Sequence, residues 1–194
     1  MGEQKVLLRF DKVGFKYNDK RIILNEADFS IREKSKITIM GQNGAGKSTI
    51  FKLITGKLKP NSGKINIQLG ATIGIAEQMI PKDKLNLTVI EYFNTAFGTQ
   101  RFGIEKDINQ ALQNVNLIVP LDKKVNELSG GQKARLLLAY AIIQDPDILL
   151  LDEPTNNLDQ TGIEHLTNFL LFYPKTVIVI SHDADFLNVF TDGV

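Results

Sequence analysis

Residues 41–49 read Gly-Gln-Asn-Gly-Ala-Gly-Lys-Ser-Thr, a loop of the form G-x-x-x-x-G-K-[ST] placed between an apolar run and a helical one. No other stretch restricts the fold as much, because such a loop works as the turn between a buried strand and a helix. Gly41, Gly44 and Gly46 let the backbone turn tightly enough for its N–H groups to converge on one point. That point is also the N-terminus of a helix, where partial positive charge attracts anions. With Asn43 and Ala45 completing the loop, Lys47 suits the β- and γ-phosphates of a nucleoside triphosphate. The Ser48 hydroxyl suits the accompanying Mg²⁺, and Thr49 lies nearer the α- and β-phosphates. The context agrees: Lys36–Met40 alternates like a buried strand, Ser48–Thr55 continues as an amphipathic helix, and Gly56 reads as its stop.

A chain of 194 residues with 43% apolar content can bury one full core with a small subdomain attached. The net charge of +1 gives no global attraction to nucleic acid or anionic membrane, so no direct sequence-specific nucleic-acid binding is expected. Without cysteine, disulfides, thiolate chemistry and cysteine-ligated zinc are excluded, which fits a cytoplasmic location. The start, Met1-Gly2-Glu3-Gln4-Lys5, lacks a signal-peptide apolar core. The longest apolar run, Leu136–Ile143, falls far short of the roughly 20 residues that span a bilayer.

Short apolar bursts at Val6–Phe10, Val13–Tyr17, Ile22–Leu24 and Phe29–Ile31, separated by charged or turn residues, predict antiparallel strands. Pro60-Asn61-Ser62-Gly63 predicts a turn, followed by strands at Lys64–Gln68 and Thr72–Ala76. From Thr88 the period becomes helical. Thr88-Val89-Ile90-Glu91 has the form of a capping box, Phe93 and Phe97 share a face, and a second helix spans Glu105–Val115. These two helices predict a compact lobe, with the phenylalanines as its core. Helix then alternates with strand: helix from Gly130, strand Ile148–Leu151, helix from Gln160, strand Thr176–Ile180, helix from Ala184. The fold class expected is α/β, a mostly parallel, doubly wound sheet with an N-terminal antiparallel β subdomain and an inserted helical subdomain. Its ligand belongs at the C-terminal ends of the strands. The expected division is a single domain over 1–194, with core 1–78 and 128–194 and helical subdomain about 79–127.

Ile148–Leu151 is a buried strand that delivers Asp152 and Glu153 at its C-terminal end. A strand leaving for a polar loop often looks like this, but beside a phosphate loop the pair gains meaning. Phosphoryl transfer needs one carboxylate for the Mg²⁺ shell, which suits Asp152, and another group to orient or deprotonate the attacking water, which suits Glu153. Leu128-Ser129-Gly130-Gly131-Gln132 opens a long helix with a capping box between Ser129 and Gln132. Its two glycines also expose donors to an anion, and since the first loop already serves this chain's own phosphate, the helix end suits a nucleotide held by another copy. His182 follows a strand where an imidazole reaches a γ-phosphate, though a histidine so placed is, taken alone, more often structural. Gln78 at a strand end carries the same two readings, and the Tyr17 ring either stacks on a base or packs.

In this order the pieces resemble the ATP-binding cassette (ABC) family over nearly the whole chain. Walker A falls at Gly41–Thr49, the Q-loop glutamine at Gln78, the signature at Leu128–Gln132, Walker B through Glu153, and the H-loop at His182. The resemblance implies ATP and Mg²⁺ as cofactors, with Ser48, Gln78 and Asp152 on the metal and Glu153, His182, Lys47 and Gln78 catalytic. It implies Tyr17 as the adenine-stacking aromatic and Asn157-Leu158-Asp159 as the D-loop, with Asp159 in the nucleotide-binding set. It further implies a head-to-tail pair of cassettes sandwiching two nucleotides, each site joining one Walker A to the other's signature. Glu153-Pro-Thr-Asn-Asn-Leu-Asp159 and Ser181-His-Asp-Ala-Asp-Phe-Leu187 are similar to the soluble ABC-F group, whose members carry two cassettes and act on ribosomes. Asn157 stands where that group usually has histidine, and the helical lobe is short for an arm insertion. The chain also stops before strands and a linker the family would add, so an excised cassette, the second of a pair, is expected. The alternative is the nucleotide-binding subunit of a membrane transporter, docked on a membrane partner. A cassette that binds ATP as a switch without turnover ranks last.

Overall fold

The computed structural model describes residues 5–97 and 102–190. Residues 1–4 and 191–194, which bear on the expectation of an excised cassette, lie outside them.

Among the described residues, seven strands form two sheets. The first is antiparallel, with spatial order β2-β1-β4, from β1 (Val6–Asn18), β2 (Arg21–Arg32) and β4 (Ser62–Ile67). The second has the order β3-β7-β6-β5, from β3 (Lys36–Ile39), β5 (Ile73–Ala76), β6 (Ile148–Asp152) and β7 (Thr176–Ile180), and every pairing in it is parallel. This is the α/β fold expected. Four strand boundaries of the sequence reading need correction. Val6–Phe10 and Val13–Tyr17 belong to one strand, as do Ile22–Leu24 and Phe29–Ile31. The charged residues between them sit on irregularities in pairing, where Lys12 and Glu26 adopt φ of 47° and 49° and the ladder resumes beyond.

β6 and β7 are buried along their whole length, apart from Asp152 at the end of β6. Their side chains alternate between faces. Ile148, Leu150, Ile178 and Ile180 join Leu8, Phe10 and Val13 of the antiparallel sheet and Phe51 and Ile54 of α1 (Lys47–Ile54). Leu149, Leu151, Val177 and Val179 pack instead with α4 (Gly130–Ile142), with Leu166 and Leu170 of α5 (Gln160–Phe172), and with Phe186 of α6 (Ala184–Phe190). The parallel sheet is therefore the middle layer, covered on both faces.

The helical lobe adds α2 (Val89–Asn94) and α3 (Glu105–Asn114) to that second layer. Thr88 caps α2 with the reciprocal Glu91 bonds that the sequence implied. The helix is shorter than expected: residues 95–97 tighten into a 3₁₀ turn, so Phe97 packs from outside it while Phe93 is fully buried. Bonds from Val89 N to Lys123 O and from Val125 N to Leu87 O, each 2.9 Å, close the neck of the lobe.

Candidate nucleotide site

Each strand of the parallel sheet ends, on the same side, in a residue singled out by sequence. The glycine-rich loop follows β3, Gln78 follows β5, Asp152 and Glu153 end β6, and His182 follows β7. The topology thus gathers chemistry scattered over more than 130 positions. Tyr17, Asn43, Gly44, Gly46, Lys47, Ser48, Thr49, Gln78, Asp152, Glu153 and His182 border one cavity of about 500 Å³. Gly41 and Ala45 belong to the loop without bordering that cavity.

The loop requires glycine at defined points. Gly44 and Gly46 hold φ of 82° and 100°, and a Cβ on Gly46 would stand 2.4 Å from Ile23 Cγ2. Gly46 also leads into α1 with no side chain capping it, so the helix N-terminus presents its amides to the cavity. Lys47 Nζ donates to the loop's own carbonyls, Gly41 O at 2.7 Å and Gln42 O at 3.2 Å. A phosphate would offer the same ammonium a charged acceptor. Thr49 is buried, and its Oγ1 lies 3.1 Å from the Tyr17 hydroxyl, which ties the end of β1 to α1.

Glu153 is the strained residue of the site. Its φ of 52° lies in the left-handed region, and its amide donates to Ile180 O at 2.8 Å. The carboxylate is largely buried, with Oε2 2.8 Å from His182 Nδ1, while the imidazole is two-thirds exposed. An acceptor oriented by an imidazole at the rim of this cavity is suited to positioning a water.

For Mg²⁺ the residues fit a shared site. Ser48 offers a hydroxyl, Asp152 a carboxylate, and Gln78 an amide whose Nε2 donates to Asp152 Oδ1 at 3.3 Å. Among the described residues no group of three or more His, Asp or Glu side chains could hold a metal alone. A cation here would therefore draw remaining ligands from phosphate oxygens and water, as Mg²⁺ commonly does.

The signature residues stand apart from this cavity. Ser129 Oγ accepts from Gln132 N at 3.2 Å and Ser129 N donates to Gln132 Oε1 at 3.0 Å, completing the expected capping box at the exposed start of α4. A Cβ on Gly131 would approach Asn157 O at 3.1 Å, so the loop after Glu153 lies against that helix start. Asp159 also lies outside the cavity. It caps α5 through Gly162 N at 2.9 Å and pairs with Arg135 Nη2 at 2.8 Å. The Gly162 amide, aided by Arg135, holds its carboxyl below the usual carboxylate range.

Three polar cavity residues escaped the sequence reading: Arg21, Lys52 and Asn156. Lys52 sits on the same helix as Lys47, and Asn156 in the turn after Glu153, so spacing alone was a usable signal for both. Arg21 had none, since it reaches the site through the β1–β2 hairpin.

A glycine-rich loop at a helix start, at the C-terminal edge of a parallel sheet and facing two carboxylates, defines a P-loop nucleoside triphosphatase. Residues 24–156 match the sequence profile of the ABC transporter family. The chain belongs to that family, whose P-loop cassettes bind and hydrolyse ATP. It is 37% identical over 188 residues to the ATP-binding protein Uup of Buchnera aphidicola, covering 94% of this chain and 31% of Uup. It is 33% identical over 194 residues to the zinc import ATP-binding protein ZnuC of Yersinia pestis, covering 97% of this chain and 75% of ZnuC. A dimeric bacterial ABC transporter cassette superposes with a TM-score of 0.81 at 28% identity, covering 95% of this chain and 91% of that one. Four of the curated relatives it matches are spanned over only 29% to 47% of their length. No helix among the described residues is long and apolar enough to cross a membrane.

Proposed function

We propose that this chain is one ATPase cassette of a cytoplasmic tandem-cassette protein of the ABC-F type, working on the ribosome. Its nucleotide is Mg·ATP, with Lys47 and the loop amides on the phosphates, Ser48, Asp152 and Gln78 on the cation, and Tyr17 beside the base. Glu153 receives the proton of the attacking water or orients it, and His182 holds Glu153 in place. The observation that carries the catalytic part is the 2.8 Å Glu153–His182 contact at the rim of the cavity holding Lys47. A second cassette, in the same polypeptide or a partner, supplies its signature to this nucleotide. The ABC-F part is supported by the segments Glu153–Asp159 and Ser181–Leu187, and by the fraction of Uup that the chain spans.

The testing experiment uses the full-length parent with Glu153→Gln and the matching change in its second cassette. Sucrose-gradient sedimentation of lysate with ATP is expected to place it with ribosomes, and Lys47→Ala is expected to abolish that. A second reading, the ATPase subunit of a membrane importer, is favoured by the 75% of ZnuC that the chain covers. Recovery in the membrane pellet and absence from ribosome fractions would establish it over the first.

A further inference from the structure

Arg21 lies over the ring of Tyr17, the aromatic proposed as the base platform. The β1–β2 hairpin turns through Asp19 and Lys20, with Asn18 paired to Arg21, and so returns the chain beside Tyr17. The guanidinium carbon lies 5.4 Å from the Tyr17 ring centroid, and Nη2 donates to Gly44 O at 3.3 Å. Both side chains border the cavity that holds Lys47. Tyr17 has little freedom to turn away: its hydroxyl is held by Thr49 at 3.1 Å, and Phe15 meets its ring edge to face at 5.1 Å. No acidic side chain pairs with Arg21 among the described residues.

A guanidinium and a purine cannot share one face of a phenol ring. The guanidinium's other contact, a neutral carbonyl of the glycine-rich loop, is weaker than a bidentate bond to a phosphate. A purine nucleotide brings both competitors at once, a flat base for the ring and charged oxygens for the cation. We propose that Arg21 is a nucleotide-contacting residue that exchanges partners on binding, leaving Tyr17 and Gly44 O for a phosphate oxygen while the base takes the ring face. This rests on the reading of Tyr17 as the base platform. A nucleoside without phosphate must displace the guanidinium and gives it nothing in return, so Arg21 selects phosphorylated purines over bare ones. Inorganic tripolyphosphate gains the phosphate contact without needing the ring.

Isothermal titration of the whole chain with ATP, adenosine and tripolyphosphate, before and after Arg21→Ala, tests this. ATP and tripolyphosphate are expected to bind about tenfold more weakly, the loss typical of a charge-assisted bond. Adenosine is expected to bind about threefold more tightly, because the ring face is no longer occupied. Arg21→Gln, with a polar group but no charge, is expected to weaken ATP to the same extent. Unchanged thermal midpoints are expected of both variants, since Arg21 is exposed. Adenosine weakening together with ATP, or ATP unaffected by either change, would overturn the exchange while leaving the nucleotide site intact. No ATP binding by the unmodified chain would overturn the site reading itself, and the exchange with it.

Discussion

Glu153 holds a backbone conformation that costs a non-glycine residue about 1–2 kcal/mol, and the surrounding structure keeps it there. Its amide is fixed on Ile180 O and its carboxylate on His182. Gly46 makes the opposite use of the same region. At φ 100° it requires glycine, and any Cβ would also strike Ile23. Gly46→Ala is therefore expected to cost roughly 2–5 kcal/mol, the sum of left-handed strain and overpacking, and to weaken ATP binding. A denaturant midpoint with Ile23→Ala alone and in combination separates the two causes. The double variant should be more stable than the sum of the singles, since removing Ile23 relieves the clash but not the φ strain. Strict additivity would exclude contact with Ile23 as a cause.

At the scale of elements, the starts of β5 and β6 are pinned by one carboxylate. Asp147 accepts from Thr72 N at 2.9 Å and Thr72 Oγ1 at 3.0 Å, and Lys175 Nζ lies 3.5 Å away. The Thr72 amide, more than any other group, holds the Asp147 carboxyl below its ordinary range. A depressed folded-state value stabilises above the unfolded value and loses that contribution as pH falls through the folded one. Asp147→Asn is thus expected to cost no more than about 1 kcal/mol at pH 7, the group being partly exposed, with the gap closing below about pH 4. A gap in urea midpoints that stays constant with pH would remove ionisation as the cause. Arg135 joins three elements on the other face: Nη1 donates to Asn116 O at 3.0 Å after α3, Nη2 to Asp159 at the cap of α5, and Nε is buried with no partner among the described residues. Deleting the guanidinium also removes that orphan, so Arg135→Met is expected to change stability by under about 1 kcal/mol. Asp159→Ala loses the cap and strands the cation, so it is expected to lower the thermal midpoint more than Arg135→Met does. The reverse order in thermal unfolding would refute this account.

These elements also mark what the sequence could disclose. The glycine-rich loop, both capping boxes and the two apolar strands were legible because each rests on a local rule of turn, cap or alternation. The merging of Val6–Phe10 with Val13–Tyr17 was not, because charged residues on a bulge look like charged residues in a turn. The contacts of Arg21, Arg135 and Asp147 were hidden for another reason: they depend on register and on partners 19 to 75 positions away.

For the whole molecule, the decisive fact is that the exposed start of α4, with its Ser129-Gly130-Gly131 sequence, does not border the cavity of Lys47. On the proposed function, a head-to-tail pair of cassettes would place each α4 start on the partner's nucleotide. Ser129→Asp tests the arrangement without harming the helix, since aspartate caps as well as serine yet sets a carboxylate against phosphate. Alone it is expected to lose ATP turnover, as is Lys47→Ala, because each homodimer then carries two defective composite sites. In an equimolar mixture half the dimers combine one chain of each kind. Such a dimer has one site with both defects and one with none, so about a quarter of the unmodified activity should return. Recovery must also fall on dilution, as the pair dissociates. Turnover by Ser129→Asp alone would show that the helix start serves no nucleotide. A mixture as inactive as its parts would show that each chain works with its own signature, and would exclude the composite site.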